Sequence, residues 1–178
     1  FLGREHPGGV LRLPGDGSWH LELYQVRGDL LHLDRDLLAA LPEGLRAALE
    51  TLQPDRPLRV IFDLQADNPR GYQVQSIRWN GHASFARCTW QCGIPLREAT
   101  GYVALQGSWQ AGRVEALGNV QLQEVSVFRL PLREVAAEIQ IRDGSVFLPG
   151  VRAKLFDGQV FGPIRYDYHP RPSFSLDL

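Results

Sequence analysis

Three side chains that bind soft metals stand close together: His82, Cys88 and Cys92. A zinc centre needs three or four ligands in paired spacing, and no second cysteine or histidine pair follows at a suitable interval. The trio therefore reads as two small, semi-buried thiols beside a strand-borne histidine. In a straight strand the Cα atoms of Cys88 and Cys92 would lie about 13 Å apart, beyond disulfide reach, and only a turn at Thr89–Gln91 would bring them together. Asp34 and Asp36 flank Arg35, and paired carboxylates can bind metal or share acid–base work. Both fall where a helix begins, so an N-cap and a first-turn acid favoured by the helix dipole account for them. Asp143 and Asp157 each precede a glycine and read as turn formers. No serine or histidine is set in a nucleophile elbow, and no glycine-rich phosphate loop occurs. The expectation is a protein without catalytic residues, metal or cofactor.

The aromatic residues suggest a surface instead of a reaction centre. Tyr166 and Tyr168 alternate in a segment that starts near Gln159, with Val160, Gly162 and Ile164 on the same face. Trp79, Trp90 and Trp109 sit in or beside other extended segments. Such rows line lipid or glycan grooves, and they also pack ordinary sheets.

The elements that position these residues are strands. Trp19, Leu21 and Leu23 alternate with His20, Glu22 and Tyr24, and Val135, Ala137, Ile139 and Ile141 alternate with Ala136, Glu138, Gln140 and Arg142. This period of two marks strands with one apolar and one polar face, as in an antiparallel sheet. Turn chemistry at Gly15-Asp16-Gly17, Asn80-Gly81, Asp143-Gly144, Pro149-Gly150 and Asp157-Gly158 punctuates the chain. The short spacing leaves no room for helical crossovers, so neighbouring strands pair as a meander. From Asp34 to Leu52 the pattern changes: Leu37, Leu38, Leu41, Leu45, Leu49 and Leu52 fall on one helical stripe. Pro42 cannot donate to a continuing helix, which predicts a helical hairpin over 35–41 and 42–52 or one kinked helix over 35–52.

Pro-Leu-Arg-Glu occurs twice, at Ile94–Glu98 and Leu130–Glu134, and each copy opens a run of alternating residues. Ala99–Gly107 and Val135–Gly144 each read as one strand ending at a glycine turn. The internal repeat is 94–129 and 130–165, the signature of modules stacked along an extended sheet. At 178 residues the chain is most simply one β-rich module over 1–178. It starts at Phe1 and contains no methionine, so it reads as a piece of a longer protein whose targeting signals and membrane anchor lie elsewhere. No apolar run is long enough to span a bilayer as a helix. Nineteen basic residues balance twenty acidic ones and are scattered, which argues against nucleic acid as a partner.

The segment Leu130–Leu178 carries Leu-Pro-Leu-Arg-Glu-Val, a strand, Asp-Gly, Val-Phe-Leu-Pro-Gly, then Ala153-Lys154-Leu155-Phe156-Asp157-Gly158-Gln159-Val160-Phe161-Gly162 and a closing Pro-Ser-Phe-Ser-Leu-Asp-Leu. It resembles the AsmA-like, TamB-related envelope proteins, with Asp157 where a glycine is common in their recurrent phrase. A leucine-rich passage at Leu37–Leu64 extends the resemblance, with Asp55 in place of a typical glycine. The resemblance implies a β-taco or half-pipe, a curved antiparallel sheet whose concave apolar face holds phospholipid acyl chains. It also implies a periplasmic or envelope location in a diderm bacterium, a non-catalytic role in phospholipid movement and outer-membrane biogenesis, and neighbouring modules of the same chain as partners.

The inward rows of such a trough would be Val135, Ala137, Ile139, Ile141, Val151, Ala153, Leu155, Val160, Ile164 and Tyr166. A slip of one residue would turn every one of them outward. A carbohydrate-active or hydrolytic enzyme on a β scaffold would need two carboxylates facing one cleft, and no pair stands out; two other readings compete more closely. The same rows could form the closed core of a β-sandwich, and open sheet edges could serve a structural scaffold or protein-interaction module of an envelope assembly.

Overall fold

The computed structural model describes residues 7–31, 35–39, 46, 50, 54–69, 74–92, 94–142, 144–168 and 173–176. Strands dominate: β1 (Gly8–Arg12), β2 (Trp19–Leu31), β3 (Leu58–Asn68), β4 (Ser76–Cys92), β5 (Ile94–Gln110), β6 (Arg113–Val127), β7 (Leu130–Arg142), β8 (Ser145–Leu155), β9 (Gly158–Asp167) and β10 (Ser173–Leu176). They form one antiparallel sheet in sequence order, each strand paired with its predecessor and successor, and the sheet does not close into a barrel. From β4 to β9 the one- or two-residue connections dictate this order, because only antiparallel neighbours can be joined so tightly. Helix α1 (Arg35–Ala39) follows β2 and carries Asp36 in its first turn, and the described residues Arg46 and Glu50 are also helical. Most of the helical region expected over 35–52 lies outside the described residues, as does the Asp34 cap.

The register divides the sheet into two unlike faces. Trp19, Leu21, Leu23 and Val26 on β2 pair with Asn68, Ala66, Leu64 and Phe62 on β3, and the same face continues through Ile77, Trp79, Gly81, Ala83 and Phe85 on β4. Across β5 and β6 it runs through Val103, Leu105, Trp109, Val114, Ala116, Val120 and Leu122. Between β2 and β6, Asn68 is the single polar side chain among these positions, and it is buried. The opposite face carries His20, Glu22, Asp63, Gln65, Asp67, Arg78 and Asn80. One-sided alternation in the sequence thus becomes a one-sided sheet.

Five successive strands break the alternation once. Each places two exposed residues in a row between two inner-face ones: Ala86–Arg87 on β4, Arg97–Glu98 on β5, Gln123–Glu124 on β6, Arg133–Glu134 on β7 and Pro149–Gly150 on β8. Pairing shifts register at or across these points. These are β-bulges, each adding one residue, bending its strand and sharpening the twist. Arg87, Glu98 and Glu134 take φ values of 50°, 54° and 51°, as does Gln25 (51°) at a matching shift on β2. The repeated Pro-Leu-Arg-Glu phrase is therefore a bulge motif. Without the extra residue, strict alternation would turn Glu98 and Glu134 onto the apolar face; with it, Ala99 and Val135 take that place. Cross-strand acceptors satisfy the displaced amides, since the Arg87 N–H donates to Thr100 Oγ1 at 3.0 Å and the Gln25 N–H to Asp63 Oδ1 at 2.8 Å.

Residues flanking the bulges form one buried cluster that runs across the strands: Cys88, Ala99, Leu122, Val125, Val135, Val151 and Ala153, with Phe85, Leu96, Leu132 and Leu148 packed against them. Cys88 and Ala99 are 0% and 1% exposed. Bulges bend the strands that carry them, and the residues flanking this bulged line on the inner face are buried. The Phe85 and Trp90 rings meet edge to face at 5.0 Å, a favourable aromatic geometry.

Several turn assignments made from sequence need correction. Asn80–Gly81 lies inside β4, where Gly81 lets β3 approach: a Cβ there would stand 2.5 Å from Phe62 Cβ. Pro149–Gly150 is the bulge of β8 instead of a hairpin turn, a site where proline is tolerated because ladder pairing is already interrupted. At the β8–β9 turn, Phe156 takes the positive φ (53°) and Gly158 already pairs with Leu155 as the first residue of β9. Gly107 does not end a strand, for β5 continues to Gln110. The two repeat copies start β5 and β7, but the second two-strand step ends with the Phe156–Asp157 turn, short of 165.

The inner face as candidate functional site

All ten positions expected to line a trough share the inner face. Val135, Ala137, Ile139 and Ile141 on β7 stand opposite Leu122, Val120, Gly118 and Ala116 of β6. Val151, Ala153 and Leu155 on β8 pair with Gly162, Val160 and Gly158 of β9, and Leu148 and Val146 with Ile164 and Tyr166. Val135, Ala137, Val151, Ala153 and Tyr166 are buried, whereas Ile139, Ile141, Leu155, Val160 and Ile164 are partly exposed. Four of the five buried positions are valine or alanine, and Tyr166 is the large exception.

The same apolar face extends well beyond those ten residues, through β6, β5, β4 and β3 to Trp19, Leu21 and Leu23 on β2. The residue pattern holds the signal for this extension, but it depends on bulge positions that shift the phase of each strand. Trp90 and Trp109 belong to the same face, and their indole N–H groups are buried with no hydrogen-bond partner among the described residues. Buried donors of this kind call for an acceptor. Near the β2 end the face runs into an open cleft of about 680 Å³ lined by Pro14, Trp19, His20, Asn68, Val74, Trp109 and other residues of the adjoining turns.

The soft-metal trio does not converge: His82 is exposed on the outer face, and Cys88 is fully buried on the inner one. Burial raises the Cys88 thiol pKa above its ordinary value, leaving it a packed apolar group. The Cys92 side chain lies outside the described residues. Asp55 has a structural task, accepting from the Thr89 N–H at 2.6 Å while its own N–H donates to the Thr89 carbonyl at 3.2 Å. That contact holds its carboxyl below the usual range and pins the start of β3 beside β4, where β4 and β5 slip register.

Titratable clusters occupy the outer face. His20 bridges two carboxylates, Asp67 through Nδ1 and Glu22 through Nε2 at 2.8 Å. Hydrogen bonds to Glu22 and then Asp67 raise the histidine pKa, and the bond to His20 chiefly lowers that of Asp67. Because the two ring nitrogens face different carboxylates, the three groups cannot ligate one ion. Asp167 accepts from Ser145, from Arg165 Nε at 2.9 Å and from Ser173 at 3.2 Å, tying β8, β9 and β10 together and lowering its pKa. Sequence reasoning missed both clusters, since His20 and Asp67 meet only through the register of β2 with β3. Among the described residues no group of histidine, cysteine and acidic side chains could hold a metal ion, and no helix is long and apolar enough to cross a membrane. No family model, curated protein or solved structure matches the chain.

Proposed function

We propose that this sheet is a non-catalytic lipid-binding module of a larger cell-envelope protein, in which the inner face holds phospholipid acyl chains and guides lipid between membranes. The observation that carries the reading is the continuous apolar inner face from β2 to β9, crossed by a line of bulges. An apolar surface of this extent needs an occupant. Acyl chains fit a trough of aliphatic walls without requiring polar partners. The resemblance of Leu130–Leu178 to AsmA-like, TamB-related proteins supports the same reading and assigns the module to the periplasm of a diderm bacterium.

Native mass spectrometry of the purified chain, with organic extraction of whatever co-purifies, tests it. Bound phospholipid should be present and should be lost in Ile164→Gln, with the circular dichroism spectrum unchanged. A chain that carries no lipid and takes none from mixed micelles would overturn the reading. The second reading, a scaffold that joins modules through its edges, is favoured by one observation: β10 pairs only with Ile164–Asp167 of β9. The Gly158–Pro163 edge thus lacks a partner strand among the described residues and is open to strand addition.

A further inference from the structure

The two ends of the strands are built differently. At one end the central hairpins turn on small residues, Ala111–Gly112 between β5 and β6 and Gly144 following β7, and only the distant β1–β2 connection there carries a large exposed apolar residue among the described ones, Leu13 at 70%, beside Pro14. At the other end, Phe128–Arg129 joins β6 to β7 and Phe156–Asp157 joins β8 to β9, and the two phenylalanines are 64% and 75% exposed. Both sit at the first turn position with positive φ, 50° and 53°. Bulky side chains disfavour that conformation, and glycine or asparagine would relieve it. Two adjacent hairpins therefore hold an aromatic ring in water at a strained position where a turn-forming residue would be more stable. The tips stand about 10 Å apart, two strand spacings, with exposed Leu130 beside the first.

We infer that this rim of the sheet docks on a lipid bilayer by inserting Phe128 and Phe156 into its interface. A protein partner of ordinary affinity buries a continuous patch of about 800 Å² on each side, whereas here isolated rings protrude from turns. A fluid bilayer needs no complementary pocket and accepts such rings at headgroup depth. Charge sharpens the assignment. Arg129, Arg133 and Lys154 on this limb are offset by Glu124, Glu134 and Asp157, so the rings carry the docking and anionic lipid is not required. The inference rests on exposure and turn geometry, independently of whether the trough holds lipid.

Flotation of the chain with phosphatidylcholine vesicles, with and without phosphatidylglycerol, reads this out. The chain should float with both, unaffected by added salt. Phe128→Asn and Phe156→Asn should each weaken partitioning about tenfold, while the denaturation midpoint stays the same or rises, since asparagine suits these turns. Absence of flotation, undiminished flotation of the double variant, or flotation that requires phosphatidylglycerol and is reversed by salt would each overturn the inference. Should the asparagine variants misfold, Phe156→Trp decides: lipids brominated on their acyl chains must quench more of its emission than the parent's, and equal quenching refutes insertion. A lipid-free chain that still floats would sink only the trough reading. A lipid-loaded chain that does not float would sink only the docking.

Discussion

Glu98 shows how one residue sets the phase of a whole strand. Its positive φ supplies the extra step that keeps Leu96 and Ala99 on one face, and among the described residues its side chain makes no hydrogen bond or ion pair that would hold it there. Replacing it by glycine relieves the left-handed backbone and should stabilise the chain by about 0.5–1 kcal/mol. Glu98→Val, β-branched at that φ, should cost about 1–2 kcal/mol; guanidinium titrations of the two variants check the opposite signs. His20 sets a different kind of signal. Its pKa is raised above 6.5 by Glu22 and Asp67, so its contribution is fully present below 6.5 and fades as pH rises through the raised value. Asp67, lowered below 3.8, contributes above that value and loses it only as pH falls through its own depressed pKa. Stability should therefore drop by at most about 1 kcal/mol as pH rises above 6.5. His20→Gln should abolish that slope in urea melts across the range. At this scale the sequence was only partly legible: the spacing of His82 and Cys88 says nothing of faces, and the partners of His20 depend on a register that no local pattern reveals.

Strands were legible and turns less so. Alternation located the first part of β2 and most of β7 and β9, because a half-buried surface imposes its period on the residues. Glycines misled where they serve close approach instead of reversal. A Cβ on Gly118 would stand 1.9 Å from the Ala104 carbonyl oxygen, inside the β5–β6 ladder, whereas one on Gly150 meets nothing within 4 Å. Gly118→Ala should accordingly cost about 3 kcal/mol or more, and Gly150→Ala should change stability by no more than about 0.5 kcal/mol. Thermal melts of the pair measure the contrast. From sequence alone Asn80–Gly81 has the chemistry of a hairpin turn, and only the continuation of apolar alternation through Ala83 and Phe85 argues for an unbroken strand. The bulges were visible as a repeated phrase but not as bulges, since two exposed residues in succession look like a strand end until pairing resumes beyond them.

For the molecule as a whole, the fold class and the meander order followed from turn spacing, which excluded crossovers. The inner-face positions followed from period-two alternation, with the bulges restoring it on each strand. What the sequence could not supply was the alignment of the bulges into one line, a property of five neighbouring strands, β4 to β8, in register. Ladder length also varies across the sheet: β4 and β5 pair over nearly their full lengths, from Ser76 to Cys92, while β10 pairs over four residues. Each strand pairs only with its neighbours in sequence, and from β4 to β9 the turns between them are one or two residues, so the long closure lies between β2 and β3. An all-β chain so wired is expected to form quickly for its class. During synthesis each hairpin can settle on the one before it as it leaves the ribosome, so the growing sheet always has a nascent edge and never waits for its final strand.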